Sequence, residues 1–569
     1  TTLRLMLDTQ NHRGPDANGI CQTEQGFLGH NRLSIIDLSS ESDQPFYYDS
    51  ICLSFNGEIY NYLELKTELQ ALGYSFTTSG DTEVICAAYQ EWGRDCVMKF
   101  VGMWAFALWD ANLEELFCSR DRFGIKPFNY ILADGDFYFA SEIKTLKVIP
   151  DIELDINLDQ VARGVLLGYS AYKEETYYRQ ISQLRGGFNL VWKEGEIHIS
   201  RYWDLKKVKV PTNENEAILE FQKLFNESLR IHMRADVPVG SCLSGGLDSS
   251  AIVGHISSTN PSIDYKTFTI FYEGKGEVDE RPFARLLEEK YSNIDSTYSQ
   301  PTDDELDDHF MNFLDTVDVP PAGSSYYSQY FVMKMAREHG MKVLINGQGS
   351  DEYLIGYMHT YYRILADLLR RGRLLGFIRT LYFHIREHKV SFTQSLKTIG
   401  LSFILLFKNE DSFTKMELKK KFGKVEGLNF KTDLIHLEDK FKLRTDNFLY
   451  HLLMTTTLPT LLHFEDRNSM ACSIESRVPF LDHRLVEFAF SLPFEWRVKN
   501  GVTKRILREA LKEVLPTEIY ERKDKKGFVT SGEIKWVEGP LKKYFKKMSI
   551  NPYLNWRLNV FSIWKTGHK

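Results

Sequence analysis

The stretch Val237-Pro238-Val239-Gly240-Ser241-Cys242-Leu243, followed by Ser244-Gly245-Gly246-Leu247-Asp248-Ser249-Ser250, decides the fold of the larger part of this chain. An apolar run of strand length, two glycines and then Ala251-Ile252-Val253-Gly254 read as a buried parallel strand, a tight loop and the first turn of a helix. That order builds an anion site. The glycines let backbone N–H groups approach a phosphate, Ser244, Ser249 and Ser250 add hydroxyl donors, and the helix N-terminus contributes about half a positive charge. Asp248 is repulsive in such a cradle unless a divalent cation lies between its carboxylate and the phosphates, so it reads as a magnesium ligand. A lone Gly-Gly would favour an ordinary serine-capped turn, but the whole run from Ser244 to Ser250 directly after an apolar strand argues against that.

The motif Ser244-Gly245-Gly246-Leu247-Asp248-Ser249-Ser250 resembles the pyrophosphate loop of the ATP pyrophosphatases. The resemblance implies cleavage of ATP to AMP and pyrophosphate while a carboxylate is activated. The Gly-x-x-x-x-Gly-Lys-Ser/Thr loop of phosphoryl-transfer enzymes does not occur in the chain. Working outward, residues 265–271 and 342–346 read as further buried strands with helical segments between them, so a doubly wound parallel sheet is expected, with ligands beyond the carboxyl ends of its strands. By the resemblance, Leu243 and Ile270 border the adenine, and plain sheet core is almost as good a reading of both. The segment Gly347-Gln348-Gly349-Ser350-Asp351-Glu352 closes one of these strands. There Asp351 is expected to join Asp248 on magnesium, with Gly347 and Gln348 at the nucleotide and a capped turn as the plain alternative.

At 569 residues the chain has room for two large domains, and its 26% charged and 43% hydrophobic fractions are those of a globular protein. A net charge of −7 gives no general basis for nucleic-acid binding. The cysteines are scattered without a C-x-x-C pair, which points to free thiols in a reducing, cytoplasmic setting and away from a disulfide frame or a zinc site. The longest uncharged apolar run, 399–407, is far below the ~20 residues that cross a bilayer and is expected to be a core helix segment. The arginines of the tract 370–386 read as a solvated helix face.

Residues 1–204 carry many short strand-like runs and two amphipathic helical patterns, near 62–72 and 82–92, which predicts stacked antiparallel sheets flanked by helices. Four polar clusters interrupt them: His12-Arg13-Gly14-Pro15-Asp16, Asn31-Arg32-Leu33-Ser34-Ile35-Ile36-Asp37, Asn56-Gly57-Glu58-Ile59-Tyr60-Asn61 and Gly80-Asp81-Thr82-Glu83. Taken singly these are a loop, a turn at Asn56-Gly57 and a helix cap at Asp81. Together they resemble the glutaminase domain of class II amidotransferases, an Ntn-hydrolase-like αββα sandwich. The tract 55–62 with Arg120-Asp121-Arg122-Phe123-Gly124-Ile125-Lys126-Pro127 is close to the asparagine synthetase version. By that resemblance Arg32 pairs with the α-carboxylate of glutamine, Glu58 and Asp81 hold its α-amino group, and Asn56 with the Gly57 N–H forms the oxyanion hole. The family's amino-terminal cysteine nucleophile has no counterpart upstream of His12. A missing first segment is the expected reason, and a decayed glutaminase is the alternative.

A proline-containing charged linker, 205–214, places the boundary near Asp204, with the synthetase domain expected over 205–569. Within it, Glu465-Asp466-Arg467-Asn468-Ser469-Met470-Ala471 and Glu475-Ser476-Arg477-Val478-Pro479-Phe480-Leu481-Asp482 resemble the late signature of asparagine synthetases, and so do Thr503-Lys504-Arg505-Ile506-Leu507-Arg508 and the run from Arg522 to Phe528. Arg467 is the candidate for a substrate carboxylate, with a buried ion pair as the alternative, and Lys525 is the candidate for stabilising charge on the phosphates. Many asparagine synthetases have Glu where this chain has Gln348, which removes a base from that position. The resemblance implies a glutamine-hydrolysing asparagine synthetase that uses ATP and Mg2+, takes glutamine and aspartate, passes ammonia through an internal channel and spans no membrane. A related enzyme acting on another carboxylate, such as a uronic acid, remains the second reading. A homodimer is an assembly open to it.

Overall fold

The computed structural model describes residues 2–273, 279–422, 434–523, 532–546 and 551–567. Period-two alternation sets the first domain. In the antiparallel pair Ile51–Ile59 and Gly102–Asp110, Leu53, Phe55, Trp104, Phe106 and Leu108 face one side, and Cys52, Ala105, Ala107 and Trp109 face the other. Apolar residues on both sides of a strand require cover on both faces. The helices Tyr62–Ala71 and Thr82–Trp92 cover the first face of this six-stranded antiparallel sheet through Leu65, Leu69, Val84 and Ala88. Over the second face lie the hairpin Ala17–Gln22 with Phe27–Arg32 and a three-stranded sheet of Asp136–Ala140, Asn129–Ala133 and Ser182–Gln183. The helices Thr2–Thr9 and Ile143–Leu146 back that layer, which completes the αββα order. Asn56-Gly57 is not a turn. It sits inside the strand Ile51–Ile59, opposite Ala105 and Trp104, and a β-carbon on Gly57, at φ +149, would stand 2.1 Å from the Met103 carbonyl oxygen.

The second domain is built on five parallel strands in the order Ile294–Ser299, Tyr265–Ile270, Val239–Cys242, Val343–Ile345 and Glu475–Arg477. The chain starts in the middle, works outward on one side and returns on the other, so strand order reverses between Val239–Cys242 and Val343–Ile345. Two loops, 243–246 and 346–349, therefore leave the carboxyl ends of neighbouring strands and diverge around a crevice. Helices Leu247–Thr259, Arg281–Lys290, Ser325–Glu338 and Thr457–Ala471 flank the sheet. The amphipathic helix Glu214–His232 buries Ala217, Phe221, Phe225 and Leu229.

One expectation is corrected. The run 399–407 lies in the helix Phe392–Phe407, where Leu401 and Leu405 are buried while Phe403 is 48% and Phe407 88% exposed. This helix packs on Tyr361–Arg370 and Glu410–Phe422 and leaves its other side to solvent, so it belongs to the surface.

The domains meet through apolar and charged contacts alike. Val343 of the parallel sheet joins the apolar cluster that contains Ile35 and Ile36. At the far edge of that sheet the fully buried Arg477 donates to the carbonyls of His232 (2.7 Å) and Arg234 (2.6 Å), pairs with Glu475 (2.8 Å) and reaches Glu58 of the first domain at 3.5 Å. Arg13 forks onto Asp466 at 2.8 and 2.9 Å and also bonds Glu142 at 2.9 Å. Removing one member of such a buried set leaves uncompensated charge and orphaned carbonyls. Arg477→Met is expected to lower stability by about 3–5 kcal/mol, read as a fall in the thermal unfolding midpoint; an unchanged midpoint would show that this cluster does not hold the domains together.

Candidate functional site

The crevice at the reversal point opens into a cavity of about 550 Å³. Leu243, Ser244, Gly246, Leu247, Asp248 and Ser249 of the first loop, Ile270 at the end of the neighbouring strand, and Gly347, Gln348 and Asp351 of the second loop all line it. Asp248 and Asp351 converge on one cation: the Lys504 ammonium stands 2.5 Å from Asp248 Oδ2, 2.7 Å from Asp351 Oδ1 and 2.9 Å from Ser350 Oγ. Burial alone would lower the pKa of Lys504, and the two carboxylates outweigh it and hold the amine charged. Asp248 Oδ1 is buried with no hydrogen-bond partner among the described residues. Two hard carboxylate oxygens, one of them unused, fit a magnesium ion whose shell is completed by water and phosphate.

Gly246 caps the helix Leu247–Thr259 and directs its N-terminus at the cavity. Gly245 and Ser250 lie behind the wall. Gly245, at φ +69, turns its carbonyl to Arg522 (3.0 Å), and Ser250 is fully buried. Lys504, Arg508, Arg522 and Lys523 bring four cationic side chains to the same cavity. The sequence reading passed over these four. The runs 503–508 and 522–528 carried the signal, and folding decides which of their basic residues turn inward. Lys525 lies outside the described residues.

A second cavity, of about 560 Å³, lies in the first domain, and Arg32, Asn56, Gly57, Glu58 and Asp81 all line it. Asp81 does not cap its helix; its carboxylate accepts from the Ile59 N–H at 2.8 Å. Arg32 is braced by the Ser39 carbonyl (2.7 Å), Asp43 (2.8 Å) and the Asp37 carbonyl. Glu58 Oε2 is buried without a hydrogen-bond partner among the described residues. Burial pushes the Glu58 carboxyl well up, with the charge of Glu475 adding to the shift, and burial carries Asp81 up to about 7. Burial works the same way on Glu475, but Lys126 and Arg477 outweigh it and hold Glu475 below its ordinary value. The site thus presents carboxyl groups short of a cation.

The helix Thr457–Ala471 runs between the cavities. Leu461 and Glu465 face the crevice of the parallel sheet, Met470 faces the first-domain cavity, and Glu465 and Met470 are five positions apart, roughly 7.5 Å of helix. Glu465 is buried and accepts from Asn346 (2.5 Å), Ser476 (2.6 Å), Gln329 and Gln348 (3.4 Å); burial raises its pKa. Arg467, on the same helix, does not reach the crevice of the parallel sheet. Its nitrogens are taken by Asp318 (2.9 Å), Asp466 (2.5 Å) and the Ser141 carbonyl (3.0 Å). The buried ion pair thus replaces the expected substrate contact.

Residues 1–203 match the family described as Glutamine amidotransferase domain, and residues 220–556 match the family described as Asparagine synthase. The chain is 33% identical over 536 residues to "Asparagine synthetase [glutamine-hydrolyzing] 1" of Bacillus subtilis (strain 168), covering 91% of this chain and 82% of that protein. It is 30% identical over 543 residues to "Asparagine synthetase [glutamine-hydrolyzing] 3" of the same organism, covering 92% and 83%. It is also 28% identical over 597 residues to "Amidase chyE" of Penicillium rubens (strain ATCC 28089 / DSM 1075 / NRRL 1951 / Wisconsin 54-1255), covering 95% and 86%.

Without the Lys504 ammonium, Asp248 and Asp351 would repel one another. Lys504→Met is expected to melt at a lower temperature than the parent protein and to recover more of that loss in millimolar magnesium than the parent gains. A variant that melts like the parent in the absence of magnesium would show that the ammonium does not balance the two carboxylates.

Proposed function

From the premise that this chain belongs to the asparagine synthase family and is a glutamine-dependent ligase, we propose that it converts aspartate to asparagine through β-aspartyl-AMP. The observation that carries this reading is the convergence of Asp248 and Asp351 on one cation beside the helix N-terminus at the reversal of strand order. We take residues 1–204 as the glutaminase and 205–569 as the synthetase.

ATP lies with its adenine toward Leu243 and Ile270 and its phosphates along residues 244–249, where the helix N-terminus, Arg508, Arg522 and Lys523 balance their charge. Asp248 and Asp351 would hold a magnesium ion, which would neutralise further charge on the triphosphate. An oxygen of the aspartate β-carboxylate attacks the α-phosphorus and pyrophosphate leaves. Ammonia, released from glutamine in the first-domain cavity and carried along the helix Thr457–Ala471, adds to the acyl carbon, and AMP departs with the oxygen that bridged carbon and phosphorus. The added nitrogen must shed a proton. Gln348 is an amide and takes none, whereas the Glu465 carboxylate beside it lines the same cavity. In the first-domain cavity, Glu58 and Asp81 receive the glutamine ammonium, Arg32 its carboxylate, and Asn56 with the Gly57 N–H the developing oxyanion. Gln348 also favours a second reading, in which a different small carboxylate, such as a uronic acid, is the acceptor.

Aspartate is expected to stimulate exchange of labelled pyrophosphate into ATP, and Asp248→Asn to reduce that exchange by roughly 10²-fold or more. Glu465→Gln is expected to keep the exchange but lose amide formation by roughly 10²-fold. Stimulation by a uronic acid and not by aspartate would move the reading to the second acceptor, and exchange intact in Asp248→Asn would remove the adenylation site.

In this cavity burial raises Glu58 and carries Asp81 up to about 7, so near pH 7 Asp81 is close to half protonated. An ammonium brought against them favours their charged forms and lowers both values, so binding releases protons. Calorimetric titration of glutamine in two buffers of different ionisation enthalpy should give heats that differ between the buffers, by the protons released. Equal heats in the two buffers would place the ammonium elsewhere.

A further inference from the structure

No residue of the tract 370–408 lines either cavity. It holds eight lysines and arginines against one acidic residue, Glu387, in a chain whose net charge is −7. Its two helices, Leu374–Glu387 and Phe392–Phe407, both pack on Tyr361–Arg370. Each turns an apolar stripe outward. At about 100° per residue, Phe392, Leu396, Phe403 and Phe407 fall within roughly 60° of one another on their helix, and Phe392 is 78% and Phe407 88% exposed. On the other helix Leu374, Leu375, Ile378 and Tyr382 form a stripe about 100° wide, with Arg379 and Arg386 following at its edge, and Leu375 is 85% exposed. Some of the basic groups have partners: Arg373 pairs with Glu495 at 2.9 Å, Arg386 with Glu387 at 3.5 Å, and Arg379 bonds the Asn500 side chain at 2.9 Å. Arg370, Arg371, Lys389 and Lys397 are exposed.

We propose that these two helices dock the protein on an anionic lipid surface, the apolar stripes entering the headgroup boundary and the flanking arginines and lysines meeting the lipid charge. Exposed aromatic and leucine stripes flanked by basic residues are what such surface helices require. At 14 and 16 residues the helices are too short to cross a bilayer, so they lie on it. A second copy of the chain fits this face poorly, because a two-fold contact would set one basic tract against another. The proposal is independent of which acceptor the synthetase uses.

Co-sedimentation of the full chain with vesicles of equal parts phosphatidylglycerol and phosphatidylcholine tests it. The protein is expected to pellet with these vesicles, to remain in solution with pure phosphatidylcholine and to be released by high salt. The combined substitution Leu375→Ser, Phe392→Ser and Phe407→Ser should reduce the bound fraction about ten-fold, while Arg370→Gln with Arg371→Gln should weaken it and flatten its salt dependence; both variants should keep pyrophosphate exchange. Failure to pellet with the anionic vesicles overturns the proposal. So does salt-independent pelleting with both vesicle types, or a concentration-dependent dimer in light scattering that the serine substitutions abolish, which would make this face a protein interface.

Discussion

Arg477 is the side chain around which the two halves of the molecule close. Its guanidinium has left water completely, a cost met only because two main-chain carbonyls and the carboxylates of Glu475 and Glu58 are brought to it. Those partners come from different parts of the fold: the end of the helix Glu214–His232, the edge of the parallel sheet and the central antiparallel sheet of the other domain. Its own carbonyl accepts the Asn346 N–H at 2.8 Å, at the start of the loop that carries Gln348 and Asp351. A displaced domain would strand several charges at once. That penalty keeps the two cavities in one fixed relation.

Electrostatics divides the labour between those cavities. The first-domain cavity is short of positive charge, with Glu58 and Asp81 raised by burial, and it suits a ligand that brings an ammonium. The cavity of the parallel sheet gathers Lys504, Arg508, Arg522 and Lys523 beside a helix N-terminus, and it suits a ligand that brings several negative charges. Lys504 takes up the space between Asp248 and Asp351, so the two carboxylates are kept close without repulsion. Glu465 stands apart from both groups, ringed by neutral amide and hydroxyl donors that stabilise its charge against the burial that opposes it.

The surface hairpin of 370–408 follows a different logic. Its helices bury one side against Tyr361–Arg370 and leave an equally apolar side to solvent, which an ordinary globular surface avoids over so long a stretch. Hydropathy counts the two sides alike, which is why the run 399–407 reads as core until its neighbours are known.

Much of the fold was legible in the chain because its signals are local. Strand alternation at 51–55 and 103–109, helical spacing at 62–72 and 82–92, and the glycine loop after Val239–Cys242 each depend on residues close in sequence. The polar clusters around Arg32, Asn56, Glu58 and Asp81 were also readable, and folding gathers them at one cavity. What the sequence by itself determined was therefore the kind of each element and the chemical type of each cluster. Which side chains face each other was decided by the tertiary structure alone: Lys504 between Asp248 and Asp351, Arg467 spent on Asp318 and Asp466, Glu465 beside Gln348. These pairs lie more than a hundred residues apart or turn on the choice of one nitrogen among several partners. Only packing fixes such a choice, because a charge forced out of water takes whichever opposite charge the fold places nearest.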